Sequence, residues 1–134
     1  MNKVLKKLEE FHGHVGPYVL IGYKMGQIAN KELGKDPFSK NVVIFTGTSP
    51  PISCIVDGVQ ISSGCTLGKG NIIIKDENVA KAEFSNKSGK RISIELNKEI
   101  RDEIDNNVTE ENILSYSENL YSRSNKELFK ISNK

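Results

Sequence analysis

Both histidines and both cysteines of this chain fall in two short stretches, Phe11-His12-Gly13-His14 and Cys54-x10-Cys65, the second leading into Gly68-Lys69-Gly70-Asn71. Imidazole and thiolate are the donors a borderline-soft divalent ion prefers. His12, His14, Cys54 and Cys65 are therefore the candidate ligands of a transition metal, with zinc the expected ion. The same groups suit a thiol nucleophile beside a base. Asp57 follows Cys54 by three positions, near enough on a helix to order a ligand or shuttle a proton. Lys69, flanked by two glycines, and Asn71 could offer an ammonium, an amide and backbone N–H groups to an anionic ligand. A β-branched run follows this segment instead of a helix, so it is neither a Walker loop nor a dinucleotide fingerprint. On chemistry alone an ordinary turn is the preferred reading there.

The elements that must position these groups follow from local pattern. In an extended loop, His12 and His14 point to one side, because side chains alternate with period two. That loop enters a helix beginning at Pro17, whose free N–H groups and dipole favour neutral imidazole, thiolate and bound anions. The cysteines are harder to unite. A helix over residues 53–63, capped by Ser53 and closed by Gly64, puts Cys54 in its first turn and Cys65 just past its end. At about 1.5 Å of rise per residue, the two stand roughly 16 Å apart along the axis. Either the helix bends, or the cysteines serve different sites, or Cys65 reaches a neighbouring protomer. Each residue also has a plain structural reading: a histidine that caps a helix, a cysteine buried as a small hydrophobe, a solvated carboxylate.

Val4, Leu5, Leu8 and Phe11 predict a first helix ending near Gly13. The second runs from Pro17 to Leu33, stopped by Gly34, with Ile21, Met25, Ile28 and Ala29 on its buried face. Gly22 and Gly26 lie four apart on it and let another backbone approach closely. Residues 42–45 and 72–74 read as strands, and Pro50-Pro51 interrupts regular structure after the first of them. Ala82 to Phe84 and the alternating Ile92, Ile94 and Leu96 form a hairpin about Asn86-Lys87-Ser88-Gly89. Residues 98–106 form a charged, exposed helix. Thr109 caps another that carries Ile113, Leu114, Leu120 and Tyr121, and residues 128–131 make a last strand. Helices and hairpins in this order predict an α+β fold: a mixed or antiparallel sheet packed with helices, one compact domain over residues 1–134.

At 134 residues the chain can bury one core but not two. A net charge of +2, spread along the chain without tryptophan, argues against nucleic acid as a partner. No run is long and apolar enough to span a membrane, and residues 1–10 are too charged for a signal peptide. A cytoplasmic location with reduced thiols is expected.

Taken together, the motifs resemble the core domain of the FmdE family, the E-type subunits of formylmethanofuran dehydrogenase. The likeness rests on Phe11-His12-Gly13-His14 with Pro17, Gly22 and Gly26, on Cys54-x-x-Asp57, and on Gly64-Cys65-Thr66-x-Gly68-Lys69-Gly70-Asn71. Weaker echoes are Asn86-Lys87-Ser88-Gly89-Lys90 and Glu127-Leu128-Phe129. The resemblance implies an α+β core, commonly a homodimer, with a histidine–cysteine cleft that can hold zinc or a similar ion. The family usually has a cysteine immediately before the first-motif proline, where this chain has Gly16. Many members also carry a C-terminal zinc ribbon, and this chain is expected to be a core-only form. It is not expected to carry the catalytic machinery of the molybdenum or tungsten enzyme.

Three functions are expected on these grounds. The first is a cytoplasmic metal-binding accessory domain, tied to one-carbon or molybdo- and tungsto-enzyme systems, that binds a small-molecule ligand. The second is a small enzyme using the histidine–thiol cleft for acid–base or thiol chemistry. The third is a non-catalytic protein whose motif loops line a subunit interface.

Overall fold

The structure is a computed structural model and describes residues 2–133. Helix α1 (Lys3–His12) opens on Asn2, whose side chain accepts the Leu5 N–H, and buries Leu5 and Leu8. It closes on Gly13, left-handed at φ 99°, a conformation that costs glycine nothing. Helix α2 (Pro17–Leu33) begins at a proline and is buried on every side through Gly26. Even Lys24 is buried there, its Nζ donating to the carbonyls of Tyr121 and Arg123. A 3-10 turn (Pro37–Ser39) then leads into strand β1 (Lys40–Ile44).

Helix α3 (Cys54–Ser63) carries the chain from β1 to β2 (Ile72–Ile74), which pairs parallel to β1 as a helical crossover allows. Strands β3 (Lys81–Asn86) and β4 (Arg91–Leu96) form the expected hairpin, with the Asn86 side chain accepting the Ser88 and Lys90 N–H groups. With β5 (Phe129–Asn133) the mixed sheet has the order β2-β1-β3-β4-β5. Its buried face presents Val42, Ile44, Ala82, Phe84, Ile92, Ile94 and Leu96 to the helices. The fold is α+β, as the pattern predicts.

Four local expectations change. Ser53 makes no capping bond, and α3 begins instead from a turn after the cis Pro50–Pro51 peptide. Thr109 caps a turn and not a helix. Its hydroxyl accepts the Asn112 N–H while Asn112 accepts its own, and α5 (Ile113–Ser122) starts after them. The charged helix α4 (Lys98–Asn107) is only half exposed, for Ile100 and Ile104, one turn apart, enter the core. Leu128 ends a short helix α6 (Asn125–Leu128) and does not join the last strand.

The most extensive packing in the molecule joins α2 to α3. A Cβ at Gly22 would lie 2.0 Å from the Ile55 carbonyl oxygen, and one at Gly58 would lie 2.0 Å from that of Val19. At Gly26 it would meet the Ser62 hydroxyl at 1.8 Å. The close approach expected from Gly22 and Gly26 is thus realised against α3, on backbone at Gly22 and chiefly on the Ser62 side chain at Gly26. A methyl group placed there must part the helices, at a cost of about 3 kcal/mol or more. Gly58→Ala should therefore lower the thermal midpoint by roughly 10 °C, read by circular dichroism. Gly68→Ala, where nothing lies within 4 Å of the added atom, should leave it unchanged. Equal midpoints for the two variants would contradict the contact.

Candidate functional site

His12 is the last residue of α1 and not part of an extended loop. The left-handed Gly13 reverses the chain, so that His14 returns over His12 with ring centroids 5.0 Å apart and planes 29° apart. The two imidazoles share a side, by a helix end and a turn instead of strand alternation. The α2–α3 contact brings the first turn of α3 to face them. From that turn, Asp57 Oδ2 accepts the Nδ1–H of His12 at 2.6 Å, a pair in which the imidazole is 11% exposed. An acidic group in a first turn is favoured by the helix dipole. A short bond to a carboxylate oxygen holds the ring firmly and fixes its tautomer. With Nδ1 engaged by Asp57, Nε2 is the ring nitrogen left for another partner.

Beside the imidazoles lies a cavity of about 210 Å³, whose wall includes Pro17, Cys54, Val108 and Ile113. His14 Nε2 would be 3.2 Å from a Cβ at Gly16, so the position where the family usually has a cysteine lies directly against this ring. Cys54, at the start of α3, is half-buried. Burial pushes its thiol up, and the charge of Asp57 adds to that, outweighing its own backbone hydrogen bond. The thiolate-favouring effect of a helix start loses here to desolvation.

The remaining candidates stand elsewhere. Cys65 is fully buried beyond the far end of α3, takes no part in the cavity wall, and its N–H donates to Ser63 Oγ. Burial raises its thiol too, against the lowering effect of Ser63, Lys40 and Lys69. Lys69 extends over the Phe38 ring, 5.5 Å from its centroid. Asn71 accepts the Thr66 N–H and donates to the carbonyls of Pro37 and Lys40, holding the turn into β2. The structure therefore gathers His12, His14, Cys54 and Asp57, and leaves Cys65, Lys69 and Asn71 in a separate scaffold. Among the described residues, no three His, Cys, Asp or Glu side chains are grouped so as to hold a metal ion.

Three residues at this site escape sequence reasoning. Tyr18 OH donates to Asp105 Oδ1 at 2.5 Å. Burial first, then Asp105, raises the pKa of the phenol, with Arg101 opposing. Tyr18 and Asp105 line both this cavity and a second one of about 350 Å³, which also holds Arg101. The signal was present in α4: Arg101 and Asp105 follow the buried Ile100 and Ile104 by one position each, so they share the flank beside the core.

Among known proteins, the family described as FmdE, molybdenum formylmethanofuran dehydrogenase operon, matches residues 11–130. A protein of Archaeoglobus fulgidus named a probable S-adenosyl-L-methionine-binding protein is 35% identical over 78 residues, 57% of this chain and 21% of that protein. The chain thus spans about a fifth of that relative's length. In structure the chain is similar to an FmdE-like protein of the tungsten formylmethanofuran dehydrogenase type from Syntrophus aciditrophicus, with a TM-score of 0.71. That match covers 97% of this chain and 69% of the other at 23% identity, a likeness of fold.

The raised thiols have a measurable consequence. A thiol whose pKa lies above the ordinary value holds less thiolate at any given pH, and only the thiolate attacks. At neutral pH Cys54 should react with a disulfide probe more slowly than a free cysteine, and its rate should keep climbing above the pH where free cysteine levels off. Reaction faster than the free amino acid at neutral pH would show an activated nucleophile instead.

Proposed function

The chain belongs to the FmdE family, and from that membership and the imidazole-walled cavity we propose that it is an accessory domain binding a small organic ligand. The observation that carries this reading is the His12–Asp57 pair, which fixes one imidazole in the wall of an apolar cavity. Pockets that recognise small molecules combine such walls with a few fixed polar groups. A ring nitrogen there can pair with a polar group of a ligand, such as the amino group or ring nitrogen of a heteroaromatic ring. The name of the Archaeoglobus relative makes S-adenosyl-L-methionine the first ligand to test, since its adenine has a planar face and an exocyclic amine. A reducing cytoplasm, in a one-carbon setting, suits the two free thiols. No covalent thiol step is proposed.

Binding is read most directly as thermal stabilisation. Ligand at about a hundred times its Kd stabilises the folded state by about 2.7 kcal/mol, raising the thermal midpoint by roughly 10 °C. Asp57→Asn and His14→Ala should each reduce that rise while leaving the unliganded midpoint close to wild type. An absent shift at millimolar S-adenosyl-L-methionine, or an undiminished shift in both variants, would sink the reading.

The metal expectation takes a more restricted form. The donors present do not fit a tightly held zinc ion. Cys65 is remote, Gly16 offers no side-chain donor beside His14, and among the described residues no three His, Cys, Asp or Glu side chains are grouped to hold an ion. No step is assigned to a metal on that account. A sulfur at position 16 would enter beside His14 Nε2, and the ring can give way by the few tenths of an ångström needed. Wild-type protein purified without chelator should hold zinc far below stoichiometry, whereas Gly16→Cys should approach about one equivalent. Elemental analysis decides: a full equivalent in the wild type would restore the metal-centred view.

A further inference from the structure

The cavity at the imidazoles, about 210 Å³, is smaller than the roughly 300–1,000 Å³ that a whole metabolite-sized ligand occupies. It does not stand alone. Tyr18, Pro51 and Asp105 form part of its wall and part of the wall of the second cavity, about 350 Å³, so the two adjoin at the Tyr18–Asp105 pair. Their chemistry differs. The first is faced by Pro17, Val108 and Ile113, and the second by Ser49, Asp76, Asn78, Arg101 and Asp105.

The charged groups of the second chamber are placed by the fold. Arg101 donates through both terminal nitrogens to Asn78, to its carbonyl and to its side-chain oxygen, each at 3.0 Å. Asn78 offers those acceptors from a left-handed backbone, φ 55°. The guanidinium plane is thereby fixed beside Tyr18, whose phenol it also reaches, and hydrogens not spent on Asn78 or Tyr18 can serve a ligand. Asp105 spends Oδ1 on Tyr18, which leaves Oδ2. Asp76 is set by the bridge between Thr46 and Asp76, and its Oδ1 would be 2.4 Å from a Cβ at Gly47. One oriented guanidinium and two carboxylates at a single chamber match a ligand end bearing both signs of charge. Arginine takes a carboxylate in a bidentate fork, and the aspartates take an ammonium.

We infer that the second chamber binds the zwitterionic α-amino-acid end of the ligand, with Arg101 on its carboxylate and Asp76 and Asp105 on its ammonium. The planar end then lies in the imidazole chamber, and the chain between them crosses at Tyr18. This assignment rests on the ligand-binding reading of the first chamber, and its test separates the two.

Two adenosyl compounds are titrated calorimetrically into the full chain. S-adenosyl-L-homocysteine carries the amino-acid end, and 5′-methylthioadenosine lacks it. The wild type should prefer the former by about tenfold or more, the worth of one or two charge-assisted hydrogen bonds. Arg101→Gln should erase that preference and leave methylthioadenosine affinity unchanged, and Asp76→Asn, of nearly the same shape, should reduce it. His14→Ala should weaken both compounds alike. Equal wild-type affinities, or a preference that survives Arg101→Gln, would overturn the head-group assignment while sparing the first chamber. Should neither compound bind, the adenosyl reading of the imidazole chamber fails, and L-methionine followed by the Arg101 Nε–H resonance decides the second chamber separately. A saturable shift, absent with L-methionine methyl ester, upholds the assignment, and no shift overturns it.

Discussion

Everything at the candidate site depends on two helices touching where neither has a side chain. Gly22 of α2 meets the Ile55 carbonyl, and Gly58 of α3 meets that of Val19, at separations no Cβ could share. Ordinary helix pairs stand about 8–10 Å apart, and a backbone contact of this kind requires a closer approach. Asp57 and Gly58 are neighbours in sequence. The glycine that admits α2 therefore also sets the carboxylate that orients His12, so packing and function share one turn of helix. A side chain at that glycine would withdraw Asp57 from the imidazole without touching either group.

The same turn shows which electrostatic effect prevails. A helix N-terminus stabilises negative charge by about 0.3–1 kcal/mol at exposed positions. Two groups compete for that field at the start of α3. Asp57 reaches His12 and stays partly solvated, while Cys54 is half-buried with Asp57 one turn away. Desolvation and a like charge both oppose the thiolate, and the dipole is too small to prevail. The carboxylate takes the favourable field and the sulfur becomes wall.

Much of this was legible in the residues themselves. Pro17 and Gly34 bound α2 as expected, Asn86 to Gly89 turn the hairpin, and the four-residue spacing of Gly22 and Gly26 announced a close backbone neighbour. The separation of Cys54 from Cys65 followed from helical rise alone, and the structure puts them in different surroundings. Less legible were features that need a partner distant in sequence. Asp57 could be seen as a helper but not as the partner of His12, forty-five positions earlier. Asn71 carried a motif-like setting yet serves as a turn brace, because a side-chain amide satisfies three loop groups as readily as a ligand. In α4, abundant charge masked the two isoleucines that turn Arg101 and Asp105 toward the cleft.

Tyr18 stands where the two cavities adjoin. It stands in the first turn of α2, buried, with its hydroxyl on Asp105 of α4 at the meeting of an apolar and a charged chamber. A buried phenol needs a partner, and a carboxylate oxygen is a strong acceptor. The pair thus anchors α4 to α2 in addition to the core contacts of Ile100 and Ile104. A ligand lying across it would touch α1, α2, the Pro51 turn and α4 together. Under the ligand-binding reading proposed above, such a ligand would gain binding free energy by joining helices. Burial raises both thiols, but only Cys54 lines the imidazole cavity, and Cys65 lies outside it.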